Sequence, residues 1–204
     1  MIKANSLLAV VFCLFVAGAV VAAQDAMKPD PEGFIRNWLI LAPIPYEGED
    51  NGAAEIVQEQ IKGEGGIQPK AGGKTSIAQK EYTWKEVKLD DYFIDFAKLA
   101  PGRTEDVIGY AVTYVRADEE MKDVKLKIGS NDQSRVYLNG KAVITFDDTR
   151  TLEKDQNDAV VILNKGLNTV VFKVINQKNN WQACLRFTDK SDKPITNLKI
   201  TSTP

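Results

Sequence analysis

The chain predicts an all-β fold, an antiparallel two-sheet β-sandwich or jelly roll with one short helix inside a long loop. Three observations carry this expectation. Short segments rich in β-branched and aromatic residues recur at short intervals, separated by turn residues. Val124, Leu126 and Ile128 alternate with Lys125 and Lys127, the period of a half-buried strand. Asn139-Gly140 closes the alternating run that holds Val136 and Leu138, and this dipeptide suits the positive φ of a type I′ hairpin turn.

Read from the start, residues 1–23 form a targeting segment. Lys3 supplies a positive beginning, Leu7 to Val21 an apolar run, and Val21-Ala22-Ala23 small residues for cleavage before Gln24. The run is short for a membrane span, so a secreted protein with no membrane insertion after cleavage is expected. Residues 24–33 read as a flexible lead-in, and 34–204 as one sandwich domain. Phe34 to Leu41 is apolar and extended, ended by Pro43 and Pro45. About 47–80 is a polar, Gly-rich loop insertion; within it Ala53, Ile56, Val57, Gln60 and Ile61 fit a helical period.

Strands are expected at Tyr82 to Leu89 and at Asp91 to Phe96. Val107 to Val115 is apolar on both faces, the mark of a central strand buried on both sides. Asp123 to Ser130 and Ser134 to Leu138 flank a polar corner at Asn131-Asp132, and Lys141 to Phe146 follows the Asn-Gly turn. Asp147 to Asn157 is a charged loop. Ala159 to Leu163, Leu167 to Ile175, Trp181 to Thr188 and Ile195 to Thr201 complete about ten strands.

Composition excludes several functions. There is no histidine, which removes Ser-His-Asp triads, Cys-His pairs and imidazole ligands together. Cys184 is the one cysteine after position 23, so no internal disulfide forms in the mature chain. Acidic residues outnumber basic ones, 28 to 26, which argues against nucleic acid as a partner. No P-loop, dinucleotide fingerprint, heptad or internal repeat is present. Asp90, Asp91, Asp95, Asp118, Glu119 and Glu120 lie in polar runs that read as solvated turns, so no isolated carboxylate pair suggests an enzyme.

Four stretches carry a family resemblance. Gly129 to Lys141, GSNDQSRVYLNGK, resembles the "G-S-D-D-x-x-x-V-W-L-N-G-K" hairpin of galactose-binding-like β-sandwich domains, the jelly-roll modules attached to many bacterial glycoside hydrolases and sugar esterases. DQNDAVVILNKG at 155–166, LNTVVFKVIN at 167–176 and WQACLRFTD at 181–189 resemble the strands that follow it in that family. The hairpin departs from the pattern at Asn131, Gln133 and Tyr137, and the closing strand at Gln182 and Ala183.

The resemblance implies carbohydrate recognition by loops at one end of the sandwich. A sugar site needs an aromatic face and planar polar groups. Asp132, Arg135 and Asn139 around the hairpin, with Asn179, Asn180 and Trp181 in the late loop, are the candidate carbohydrate-binding residues; Asn176, Tyr46 and Trp38 offer similar chemistry. Several also have a structural reading: Asn139 as a turn residue, Asp132 as a cap of the corner, Trp181 and Trp38 as core, and Arg135 as a solvated residue. The family often holds a structural calcium, for which Asp147, Asp148, Asp155 and Asp158 are the candidate oxygen ligands. The expected function is a secreted, non-catalytic module binding extracellular or envelope polysaccharide. The alternatives are a structural or protein-interaction sandwich of the envelope, with other envelope proteins as partners, and an accessory subunit in polysaccharide hydrolysis. A concave groove lined by exposed Trp or Tyr would favour sugar; fully buried Trp38, Trp84 and Trp181 with a flat loop end would favour the interaction module.

Overall fold

A computed structural model describes residues 26–48 and 51–204; the targeting segment lies outside the described residues. In chain order the elements are β1 (Asn37–Pro45), α1 (Gly52–Val57), β2 (Lys74–Ile77), β3 (Lys80–Thr83), β4 (Lys85–Lys88), β5 (Ile94–Asp95), α2 (Phe96–Leu99), β6 (Val107–Ala117), β7 (Met121–Asn131), β8 (Ser134–Leu138), β9 (Lys141–Phe146), β10 (Asn157–Leu163), β11 (Gly166–Asn176), β12 (Gln182–Thr188) and β13 (Lys199–Thr201). A single 3-10 turn at 64–66 lies between α1 and β2.

The expected antiparallel sandwich is what forms. The large sheet runs β4-β1-β6-β11-β8-β9, with β13 also paired to β6, and the small sheet runs β10-β7-β12-β5. Between the sheets lie Trp38, Ile40, Ala111, Val115, Leu126, Ile128, Val136, Val170, Phe172, Val174, Leu185 and Phe187, the inward half of each alternating strand. Among the described residues no helix is long and apolar enough to cross a membrane.

The corner at Asn131–Gln133 does more than turn a hairpin. It carries the chain from β7 in the small sheet to β8 in the large one, so these two strands do not pair. The paired hairpin is β8–β9, and Asn139 at its turn has φ 51°. Elsewhere the boundaries move. The first strand begins at Asn37 and runs through Pro43 with a register shift between Leu41 and Ile44. The run at 82–89 divides at Trp84 between β3 and β4, and the run at 91–96 is mostly irregular before α2. Residues 26–33, expected as a flexible lead-in, are tied down: Met27 and Ile200 exchange backbone bonds of 2.9 and 2.7 Å, and Asp30 Oδ1 accepts from the N–H groups of Glu32 and Phe34.

The insertion forms a third layer. Beyond α1 it folds β2 and β3 into a hairpin, and it covers the outer face of the large sheet. Ile56, Ile77 and Trp84 pack there on Leu39, Tyr110, Val112, Tyr114 and Val171. This explains why β6 is apolar on both faces: one meets the small sheet and the other meets the insertion. Each large side chain so buried contributes roughly 1.5–3 kcal/mol.

A polar anchor fixes that layer. Glu64 is fully buried and accepts from the Tyr110 hydroxyl at 2.5 Å, the Tyr137 hydroxyl at 2.6 Å and the Gln60 N–H at 3.2 Å. The fully buried Lys173 ammonium is 3.6 Å from Glu64 and donates to the carbonyls of Glu55 at 2.8 Å and Gln58 at 2.5 Å. With Arg135, which donates to the Val57 carbonyl at 3.2 Å, it satisfies the carbonyls at the end of α1 that have no intrahelical partner. Burial, reinforced by the Glu64 charge, pushes the Tyr110 hydroxyl far above its ordinary pKa.

Candidate functional site

The residues expected to bind sugar are placed at two ends of the sandwich. Asp132 sits before β8 and Asn139 after it, roughly 20 Å apart by strand rise. Asp132 is buried. Its Oδ1 accepts from the Arg150 N–H at 3.2 Å and its Oδ2 from the Gln177 N–H at 3.1 Å, so it ties two loops to the corner. Burial raises its pKa, and these backbone bonds oppose the rise. The Arg150 guanidinium bonds the Ser130 carbonyl and hydroxyl, 3.7 Å above the Phe146 ring centre.

Asn139 is likewise occupied. Its amide donates to Asn168 Oδ1 at 2.8 Å and accepts from the Thr169 N–H at 2.9 Å. Arg135 faces the insertion and lies 5.1 Å from the Tyr137 ring centre. Trp181 is fully buried and stacks on Phe96 at 4.8 Å between centroids. Its ring lies where a Cβ on Gly109 would come within 2.7 Å, which requires glycine at that position of β6. Trp38, Trp84 and Tyr46 are buried as well. Asn179 and Asn180 are exposed, on the loop beside Asp132. The hairpin residues therefore build scaffold, and the structure does not gather these six into one site.

Nor does it gather the acidic loop. Asp155 bonds the Arg186 guanidinium and lies 3.5 Å from Lys127. Burial pushes its carboxyl up, but the bonds from Arg186 and Lys127 more than offset this and hold it below the usual range. Asp148 Oδ1 accepts from the Thr149 N–H at 2.7 Å, Asp147 is exposed, and Asp158 points outward from β10. Among the described residues no three of His, Cys, Asp and Glu come together as a metal cage. The loop instead closes over β7, where a Cβ on Gly129 would lie 1.8 Å from the Glu153 carbonyl oxygen. Cys184 pairs with Gly129 in this region, and burial pushes its thiol up to about 12.

An open groove forms elsewhere, along one edge of the sandwich. On β6, β1 pairs with residues 107–112 and β13 with 114–116, so the two short strands lie end to end on the same side. A hollow of about 380 Å³ opens at their junction, lined by Met27, Asn37, Glu86, Lys88, Ile200 and Thr201, and the Asn37 amide there donates to Glu86 at 3.4 Å. A second hollow of about 480 Å³ shares Met27, Asn37, Lys88 and Ile200 and extends to Lys28 and Arg36. A third, of about 240 Å³, begins at the same Lys88 and continues past Asp90, Asp91, Phe93, Asp95, Lys98 and Leu99. Lys88, at the end of edge strand β4, lines all three.

This edge brings apolar and polar groups together. Phe93 and Leu99 are partly exposed and form its apolar wall, with Tyr92 edge-on to Phe93 at 5.2 Å. Asp95 Oδ1 caps α2 by accepting from the Lys98 N–H at 3.1 Å, and Asp91 Oδ1 accepts from the Tyr92 N–H at 2.7 Å. The second oxygen of each has no hydrogen-bond partner among the described residues. Arg36 braces the wall by donating to the Asp90 carbonyl at 2.9 Å while it pairs with Asp30. The sequence signal for this site was an aromatic pair set among carboxylates, DDYFID at 90–95. Read locally, that run is a solvated turn, because the hollow it lines depends on long-range register.

Comparison with protein-family models and with curated proteins gives no match. Among solved structures, the chain is similar to part of a β-glucuronidase from Ruminococcus gnavus at 15% identity and TM-score 0.42, covering 78% of this chain and 23% of that one. It is also similar to part of a glycosyl hydrolase family 2 member from Bacteroides cellulosilyticus at 12% identity and TM-score 0.40, covering 77% and 20%. The PA14 domain of the MpAFP antifreeze protein aligns at 12% identity and TM-score 0.32, covering 88% of each chain. The chain spans less than a quarter of the length of the two hydrolases.

Proposed function

We propose that this chain is a secreted, non-catalytic polysaccharide-binding module whose ligand lies along the edge groove. The observation that carries the reading is the clustering of three hollows that share Lys88 along one edge, with the partly exposed Phe93 lining one of them. Neighbouring hollows along one edge suit consecutive sugar residues better than a single one. Phe93 and Leu99 offer a face for sugar C–H groups, and Asn37, Asp91, Asp95 and Lys88 offer partners for hydroxyls. Secretion rests on the targeting pattern at 1–23.

Affinity electrophoresis and calorimetry against a panel of soluble neutral, acidic and amino polysaccharides test this. Phe93→Ala is expected to weaken binding about tenfold, the range of one aromatic contact. Asn139→Ala is expected to leave affinity unchanged in the folded fraction. Retention by no polysaccharide, or equal retention of wild type and Phe93→Ala, would refute the assignment. A second reading, a protein-interaction sandwich of the envelope, is favoured by one observation: Trp38, Trp84 and Trp181 are all at most 2% exposed, so none serves as a sugar platform.

A further inference from the structure

We propose that the chain self-associates through β10, forming a two-fold dimer in which the two small sheets become one continuous eight-stranded sheet. This goes beyond the polysaccharide reading and does not depend on it. β10 is the edge of its sheet, hydrogen-bonded among the described residues to β7 and to no other strand. Its free edge presents a row of backbone N–H and C=O groups, the template for another strand.

Natural edges are guarded by lysine, proline or inward-pointing charge. The strand NDAVVIL has none of these. Its outward side chains are Asp158, Val160 and Ile162, with Val160 67% and Ile162 50% exposed. Only one other large apolar residue among the described residues is as exposed, Val57 on α1. Leu163 and Val161 point inward, so Val160 and Ile162 contribute nothing to the domain's own core.

The occupant is a second copy because the strand is complementary to itself. Antiparallel pairing centred on Val161 sets Val160 opposite Ile162 of the other copy, and Ile162 opposite its Val160. Four exposed apolar side chains then cover one another, the kind of cross-strand pair that stabilises sheets. The same register brings Asp158 opposite Asn164 and alongside the exposed Lys165 of the other copy. Asp158 has no ionic partner among the described residues, since the facing Lys127 is taken by Asp155 and Asp192. Acidic end thus meets basic end, whereas parallel pairing would set Asp158 against Asp158. Such an isologous two-fold contact closes on itself and stops at the dimer.

Sedimentation velocity of the full chain over about a thousandfold range of concentration tests the proposal. A monomer–dimer equilibrium is expected. Val160→Lys and Ile162→Lys should each raise the dimer dissociation constant about tenfold or more, by placing a guard lysine on the edge. Val57→Lys, an equally exposed apolar site elsewhere, should leave it unchanged. Circular dichroism of the variants should match wild type, because the replaced side chains are outside the core. A chain that stays monomeric throughout, an association that survives both lysine variants, or one abolished equally by Val57→Lys would overturn the proposal.

Discussion

Replacing Glu64 with alanine should unlatch the insertion from the large sheet. The wild-type carboxylate, fully buried, accepts two tyrosine hydroxyls and one backbone N–H and faces a fully buried ammonium. Removing one member of a buried ion pair costs about 3–5 kcal/mol. Leaving a buried hydroxyl without a partner costs about 1–3 kcal/mol. Lys173 keeps its carbonyl partners on Glu55 and Gln58, which softens the first cost. The expected loss is therefore about 3–5 kcal/mol, a large part of the roughly 5–15 kcal/mol that holds a small domain folded. Glu64→Gln keeps the volume and part of the hydroxyl bonding but also removes the charge that faces Lys173, so it should cost about 2–4 kcal/mol, less than Glu64→Ala. Urea unfolding followed by tryptophan fluorescence gives both numbers, and limited proteolysis between α1 and β2 reports the release of the layer. A cost under about 1 kcal/mol for Glu64→Ala, or proteolysis between α1 and β2 no faster than in wild type, would contradict the anchor.

Further outcomes follow from the same geometry. Trp181→Ala removes a fully buried ring stacked on Phe96 and should destabilise the fold by about 3–5 kcal/mol, read by thermal melting; a loss under about 1 kcal/mol would mean the ring is not core. Gly129→Ala should push the 147–156 loop outward and make Cys184, buried with its thiol raised to about 12, react with a thiol reagent many times faster; unchanged labelling would show that the loop is not held there. Asp155→Asn should cost about 1–2 kcal/mol at neutral pH. The folded Asp155 carboxyl lies below its unfolded value, so its stabilisation is full above the usual carboxylate range and is lost as pH falls through the folded value. The gap between wild type and Asp155→Asn in urea midpoints should close on acidification, and a gap independent of pH would contradict the ion-pair assignment.

Much of the fold is legible in local pattern. Alternation marked β7 and β11, two-sided apolarity marked β6, and Asn139-Gly140 marked the β8–β9 turn. The β2–β3 hairpin was not legible, because its turn is Ala78-Gln79. Both residues have positive φ, 46° and 65°, without the Gly or Asn that normally announces such a turn. The passage of β1 through Pro43 ran against the usual end of a strand at proline. The site was harder still. Asp132, Asn139 and Trp181 have the chemistry of a sugar site, and that same chemistry serves backbone capping and core filling. Only their partners decide between the two, and those partners are distant in sequence. The groove depends on β1 and β13 meeting end to end along β6, which no local window contains.

The most direct test of groove binding is a map of backbone amide shifts in the ¹⁵N-labelled chain as a retained polysaccharide is titrated in. Shifts should concentrate at Asn37, Lys88, Phe93, Asp95 and Leu99, while 131–140 and 176–181 stay in place. Shifts centred on the Asp132 corner and the Asn179–Asn180 loop, with Lys88 and Phe93 unmoved, would contradict it.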